Sequence, residues 1–281
     1  MNAEDKDLNQ LLQKVFEERG LDFRQYHQDM LKRRLARRLS ATGTTSYHEY
    51  AKTLDVHPDE YKKLLDSLLI NVSHFFRNPL TFEFLHKVVL PEMLERKERF
   101  ADKIIRIWSA GCAQGEEPYS IAIVLAELLG KRLKNYNVTV YATDTDSDAM
   151  DKAKNGEYPE DSILEVKKGI LNKYFLSRNG SYRVREDIKV LVDFSFHDLT
   201  SEKTVAPVQS VFANFDLIFC RNVLIYFTKD LQKKVLGNFK TVLNEKGYLV
   251  LGEAETLSGI MHTGFVCVDS FNKIYQKIGG K

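Results

Sequence analysis

The sequence predicts an α/β protein, a parallel sheet clothed by helices, preceded by a small all-α domain. Two observations predict it. Across residues 1–70 apolar side chains recur at helical spacing without a β-rich run, whereas from Ile104 onward short β-rich runs alternate with helical segments. Such alternation is the pattern of strands joined by crossover helices. A chain of 281 residues has room for one large and one small domain, and 43% apolar with 28% charged residues describes a soluble globular protein.

Leu8, Leu11, Leu12, Val15 and Phe16 lie on one helical face, and Gly20 follows as a left-handed stop. Asp22 with Gln25 reads as a capping box, and Leu21 with Tyr26 as its hydrophobic staple, so a second helix is expected from Asp22 to about Leu39. Ser46 and Glu49 form another capping pair for a short third helix. Pro58 opens a fourth, with Tyr61, Leu64, Leu65, Leu68 and Leu69 on its apolar face. The strands are expected at Ile104 to Ser109, Val138 to Thr143, Val190 to Phe196, Phe215 to Cys220 and Tyr248 to Leu251, with Phe265 to Val268 and Lys273 to Lys277 as a closing antiparallel pair. Asn179-Gly180 between Phe175-Leu176 and Tyr182-Val184 marks a β-hairpin. The expected domains are 1–70, a motif loop and linker helix over 71–98, and an α/β domain over 99–281 with a β insertion at about 172–192.

Composition excludes several classes. A net charge of +2 implies no nucleic-acid partner by itself. Cys112, Cys220 and Cys267 are far apart and lack metal-ligand spacing, so neither a disulfide framework nor a metal site is expected. The acidic start, with Glu4, Asp5 and Asp7, does not read as a secretion signal, and no stretch approaches the ~20 apolar residues that span a bilayer. A cytoplasmic protein that is not itself a membrane protein is the expectation.

The first strand runs into Ala110-Gly111-Cys112-Ala113-Gln114-Gly115, then Glu116-Glu117-Pro118 opens a helix. Small residues there let a ligand approach the backbone, at the strand end where open α/β sheets bind ligands; a tight turn without a ligand is the plainer alternative. The Gly-x-Gly-x-x-Gly spacing of a dinucleotide site is absent, and two carboxylates would repel a diphosphate. They suit a ligand bearing an ammonium and a sulfonium, such as S-adenosylmethionine. Stabilisation of the helix dipole explains Glu116 and Glu117 equally well. Asp144, ending the second strand, is placed to accept ribose hydroxyls, and Asp146 reads as the N-cap of the next helix. His197-Asp198-Leu199 ends the third strand; it either holds an adenine edge and face or forms a surface turn. Arg221 and Asn222 interrupt the apolar run Phe215 to Phe227, either as site residues or as a buried polar network, and Tyr226 taken alone reads as a core aromatic with its hydroxyl at the edge.

Four segments together resemble the chemotaxis receptor methyltransferase family. Asn71-Val72-Ser73-His74-Phe75-Phe76-Arg77 is similar to its Thr-x-Phe-Phe-Arg motif and Gly115-Glu116-Glu117-Pro118-Tyr119-Ser120 to its Gly-Glu-Glu-Pro-Tyr-Ser motif. The others are Ala142 to Asp146 and Phe219 to Phe227, and the likeness extends over nearly the whole chain, including Leu31-Lys32-Arg33-Arg34-Leu35. The resemblance implies a class I, Rossmann-like S-adenosylmethionine methyltransferase domain with a small antiparallel insertion. It implies methyl transfer to glutamate side chains of receptors, with S-adenosylhomocysteine as product. By position it implies cofactor contacts at Asn71, Ser73, Arg77, Glu117, Asp144, Asp198, Leu199, Asn222 and Val223, with Arg77 and Tyr226 nearest the transferred methyl; Gly111 and Gly115 of the small-residue turn are expected to line the same site. Ser73 replaces the family's frequent threonine and keeps the hydroxyl; Asp198 stands where asparagine is frequent.

Lys32, Arg33, Arg34, Arg37 and Arg38 form a basic face beside the Leu31, Leu35, Leu39 stripe, suited to the acidic methylation helices of a receptor or merely solvated. Family members that dock on a receptor's C-terminal peptide carry a longer, glycine-rich loop where Ser177 to Tyr182 is compact, so no peptide tether is expected. Two rival readings are a methyltransferase for another protein or a small molecule, and a non-catalytic S-adenosylmethionine-sensing adaptor.

Overall fold

The computed structural model describes residues 3–210, 213–257 and 264–279. Its backbone contacts divide the chain into two compact units, Met1–Ile70 with Tyr226–Lys234, and Asn71–Ile225 with Val235–Lys281.

The first unit holds α1 (Ala3–Arg19), α2 (Gln28–Thr42), α3 (Tyr47–Val56) and α4 (Asp59–Leu68). Leu8, Leu11, Leu12 and Val15 pack with Leu31, Leu35, Tyr50, Leu54, Leu64 and Leu68 in one buried cluster. Gly20 takes φ +74° behind α1, a conformation that a side chain resists. Ser46 caps α3 by accepting the Glu49 N–H, but the Glu49 carboxylate turns to the N–H and hydroxyl of Thr45. The expected start of α2 at Asp22 is wrong. The Asp22 carboxylate takes the Arg24 N–H and its guanidinium, which closes a local turn instead of a helix. Tyr26 then bridges to Phe227 and His27 donates to the Tyr226 carbonyl, so the helix begins only at Gln28.

The second unit opens with α5 (Pro79–Phe84), a π turn over Leu85–Val89 and α6 (Leu90–Arg99). The strands of its main sheet are β1 (Ile104–Ala110), β2 (Asn137–Asp144), β6 (Val192–Phe196), β7 (Phe215–Cys220), β8 (Leu243–Leu251), β9 (Phe265–Asp269) and β10 (Ile274–Lys277). They lie in the order β6-β2-β1-β7-β8-β10-β9. The pairs β6–β2, β2–β1, β1–β7 and β7–β8 are parallel, and β10 runs antiparallel to both β8 and β9. The chain builds outward from β1 in one direction, then returns to lay β7 on the other side. The order therefore reverses between β1 and β7, which opens a crevice at their carboxyl ends. Every residue of β7 is buried, as a central parallel strand requires.

α7 (Glu116–Leu129) is apolar nearly all round, and Pro118 through Ala126 are buried. α8 (Ser147–Asn155) begins at Asp146, whose side chain accepts the Ala149 N–H. The insertion is a three-stranded sheet in the order β3-β5-β4, with β3 (Glu157–Pro159), β4 (Phe175–Arg178) and β5 (Ser181–Val184). The β4–β5 hairpin turns at Asn179 and Gly180, both at positive φ as the twist of a two-residue turn demands. β3 was missed because three residues ending in a proline give no alternation to read. The third expected strand also starts later, at Val192, since the Val190 N–H closes on Glu186 at the end of a short helix over Glu186–Lys189.

The basic face of α2 is smaller than expected. Lys32 pairs with Asp5 at 2.7 Å, Arg34 donates to the Ser67 carbonyl at 2.6 Å, and Arg38 grips Glu60 with two of its nitrogens. Arg33 and Arg37 are exposed. Glu60 is 4% exposed and also takes the Tyr50 hydroxyl, so Arg38 neutralises a buried charge. Arg38→Ala should lower the unfolding free energy by about 3 kcal/mol, because the buried carboxylate loses its main ion pair and keeps only the Tyr50 hydroxyl and Lys63 at 3.9 Å. Urea denaturation measures it; a change under about 0.5 kcal/mol would make Arg38 a surface residue.

Candidate active site

The loops after β1, β6 and β7 carry Gly111, Gly115, Asp198, Leu199, Asn222 and Val223, Asp144 ends β2, Glu117 lies in the first turn of α7, and Asn71, Ser73 and Arg77 precede α5. The loop after β1 takes positive φ at Gly111, Ala113 and Gly115. Four of its amides are consumed internally: Gly111 and Cys112 donate to the Thr143 carbonyl at 2.8 and 3.0 Å, Ala113 to the Asp144 carboxylate at 2.8 Å, and Gly115 to the Cys112 carbonyl at 3.0 Å. A phosphate cradle needs such amides turned outward, so this loop is not built for a dinucleotide. A Cβ on Gly111 would lie 2.4 Å from a Val223 methyl, so glycine brings the loops after β1 and β7 together.

Asp144 also receives the amides of Thr145 and Asp146, and three bonds fill most of the acceptor capacity of one carboxylate. Burial pushes its pKa up and these backbone bonds oppose the shift. Asp198 forms a local turn, taking both the N–H and the hydroxyl of Thr200. Leu199 beside it is half-buried, and His197 is buried edge-on to Trp108 with its pKa pulled down to about 4 by desolvation. His197 is therefore a neutral ring in the packing.

The two glutamates that open α7 differ. Glu117 accepts the Ser109 hydroxyl at 2.8 Å and lies 3.6 Å from Arg221; burial raises its pKa and Arg221 opposes that. Glu116 is 2% exposed, one of its carboxylate oxygens has no hydrogen-bond partner, and desolvation raises its pKa to about 7, against a bond from Ser73. Helix-dipole stabilisation alone does not account for groups held this deep.

Asn71 through Arg77 is pinned at several points. The Asn71 amide donates to Asp146, the Phe75 amide to the Ser162 carbonyl, and the Phe76 amide to the Ser120 hydroxyl. Phe75 is fully buried edge-on to Tyr158 and Phe175, while Phe76 packs on Phe82. Arg77 donates from one guanidinium nitrogen to the Val72 carbonyl at 3.1 Å, leaving further donors. Arg221 fastens the loop from below, donating to the Arg77 carbonyl at 3.0 Å and the Asn78 side chain at 2.6 Å. Sequence reasoning left Arg221 open between site and network, and it is a network residue. Ser109, within β1, Asn78, the N-cap of α5, and Glu255, past β8, were missed, and their sequence neighbourhoods do not announce their distant partners. Tyr226 falls in the first unit, with its carbonyl bonded to His27.

An open sheet with an antiparallel end, loop amides turned inward and acids at the ends of β1 and β2 define a nucleoside-cofactor site for a cationic ligand, the class of the S-adenosylmethionine-binding methyltransferases. The description "CheR methyltransferase, SAM binding domain" matches residues 71–273, and "CheR methyltransferase, all-alpha domain" matches residues 6–69. The chain belongs to the CheR methyltransferase family. It is similar to a chemotaxis protein methyltransferase of Borreliella burgdorferi, 31% identical over 97% of this chain and 96% of the relative. Those of Escherichia coli (31%, 90% and 85%) and Salmonella typhimurium (32%, 92% and 86%) are similar too. The cofactor is S-adenosylmethionine, and the fold is that of class I methyltransferases with a small antiparallel insertion. Among the described residues no cluster suits a metal ion, and no helix is long and apolar enough to cross a membrane.

The raised pKa of Glu116 has a stability consequence. The folded state holds this proton up to about pH 7 and the unfolded chain releases it near 4.5, so folding stability is lost as pH rises between those values. Glu116→Gln should remove that part of the slope in urea midpoints measured from pH 5 to 7.5. An unchanged slope would mean that Glu116 ionises normally.

Proposed function

We propose that this methyltransferase esterifies glutamate side chains on the cytoplasmic domain of chemotaxis receptors. The observation that carries the reading is the inward-turned, acid-lined loop set in a chain that matches chemotaxis methyltransferases from end to end. S-adenosylmethionine supplies a methyl group on a positively charged sulfur, and S-adenosylhomocysteine is the product. Asn71, Ser73, Arg77, Gly111, Gly115, Glu117, Asp144, Asp198, Leu199, Asn222 and Val223 are the residues we assign to holding it. Their chemistry fits: Asp144 keeps acceptor capacity for a hydroxyl, and the Glu117 carboxylate suits an ammonium.

A glutamate acceptor has a pKa near ~4.3 and is ionised at neutral pH, so the protein positions it and has no proton to remove. Arg77 is suited to that task, because a planar guanidinium meets a carboxylate with two parallel bonds. We assign Arg77 to positioning, whether of the acceptor or of the cofactor carboxylate, and Tyr226 a lesser part. Arg77→Ala should slow single-turnover transfer to a receptor fragment by at least tenfold more than Tyr226→Phe does, since water replaces a hydroxyl more readily than a guanidinium. Rapid-quench measurement with labelled cofactor decides, and equal or reversed losses would reject the ranking.

Receptor recognition we assign to the first unit, with Arg33 and Arg37 as its exposed cations; Lys32, Arg34 and Arg38 serve mainly the fold. Opposite charge on the acceptor helices speeds encounter, and salt screens the attraction. Reversing Arg33 and Arg37 to glutamate should raise the apparent KM for the receptor several-fold at low salt and flatten its salt dependence, with cofactor affinity unchanged. Receptor kinetics like those of the wild type at low salt would leave this face merely solvated.

A further inference from the structure

We propose that the turn Gly252–Glu255 after β8 is the clamp that shapes both the Asn222–Ile225 and the Arg77–Asn78 loops, with Glu255 as its positioning residue. The proposal rests on the reading that Asn222, Val223 and Arg77 serve the cofactor.

Glu255 is 4% exposed, and its carboxylate collects four backbone amides. One oxygen takes Val223 at 2.9 Å and Ile225 at 3.3 Å; the other takes Asn222 at 3.0 Å and Gly252 at 2.6 Å. A carboxylate has about four acceptor positions, and all are used. All four donors belong to loops beyond the ends of β7 and β8, so the interaction fixes loop shape and leaves the strand ladder alone. It holds Asn222 at φ +61°, in the left-handed region that non-glycine residues seldom occupy.

Gly252 completes the device for a steric reason. A Cβ there would stand 2.8 Å from the Asn222 nitrogen and 2.8 Å from a Glu255 oxygen. No side chain fits between the two turns without parting them. The same turn reaches the second loop through Glu253, whose carboxylate accepts the Asn78 amide at 2.6 Å. Asn78 in turn accepts Arg221, which binds the Arg77 carbonyl. One short turn thus holds both loops.

The two oxygens make different variants informative. Glu255→Gln replaces one acceptor by a donor that faces two N–H groups, and Gly252→Ala keeps the carboxylate but wedges Asn222 away. Binding of S-adenosylhomocysteine to the full chain by calorimetry, and amide hydrogen exchange, read the effect, with Asn222→Ala as reference. Each clamp variant should weaken S-adenosylhomocysteine at least tenfold and speed exchange at Asn222, Val223 and Ile225, with β1 and β7 exchanging as in the wild type. Should Glu255→Gln fail to fold, Gly252→Ala still decides. Wild-type affinity in either folded variant, when Asn222→Ala weakens binding, overturns the clamp; so does protection lost equally across β7 and β8. Wild-type affinity in Asn222→Ala removes the site reading and the clamp with it.

Discussion

The site is organised by the cost of burying carboxylates. Glu117, Asp144, Asp146 and Glu255 sit at or near the carboxyl ends of the parallel strands, and each must collect donors or give up its charge. They collect backbone amides above all. Asp144 ties down the loop after β1, Asp146 caps α8 and reaches Asn71, and Glu255 folds the loop after β7. The buried cation Arg221 lies among them, facing the Glu117 carboxylate and donating to the Arg77 carbonyl and the Asn78 side chain. The loops therefore take their shape from charge burial, and the rim that results is acidic and poor in free amides. A cationic nucleoside cofactor suits such a rim and a diphosphate does not.

The same constraint explains what was legible. The helices of the first unit declare themselves through a periodic apolar face, whereas β7 and α7 read as nearly continuous apolar runs because they are packed all round. The reversal between β1 and β7 gives the location of the crevice once the strand order is known, and the small residues after β1 already mark one of its walls. The Asp146 cap was readable because capping is local in sequence. What the periodicity does not carry is pairing across distance. Nothing in the neighbourhood of Glu255 announces that it will meet Asn222, 33 positions earlier, nor that Gly252 is small for the sake of that meeting. Asp22 failed for the opposite reason: the side chain found a partner two residues away before a helix could use it.

In the helical unit one sequence feature serves two ends. The five cations of α2 look alike in the sequence, yet three are consumed by Asp5, Ser67 and Glu60 while Arg33 and Arg37 face outward. A basic run on a helix is divided by geometry, since residues four apart share a face and those between them turn toward neighbouring helices. The receptor recognition we propose for this unit thus rests on fewer charges than the run contains, an attraction that salt screens.

The central claim is that the protein positions an acceptor that is already ionised. Its most direct test is the pH dependence of single-turnover methyl transfer to a receptor fragment with the cofactor saturating, the product identified by mass spectrometry as a glutamate methyl ester. The account predicts a rate that rises with acceptor ionisation, near pH ~4.3 for a free glutamate, and is level from about pH 7 to 9. A rate that keeps climbing about tenfold per unit through that range, or methyl found on another side chain, would contradict it.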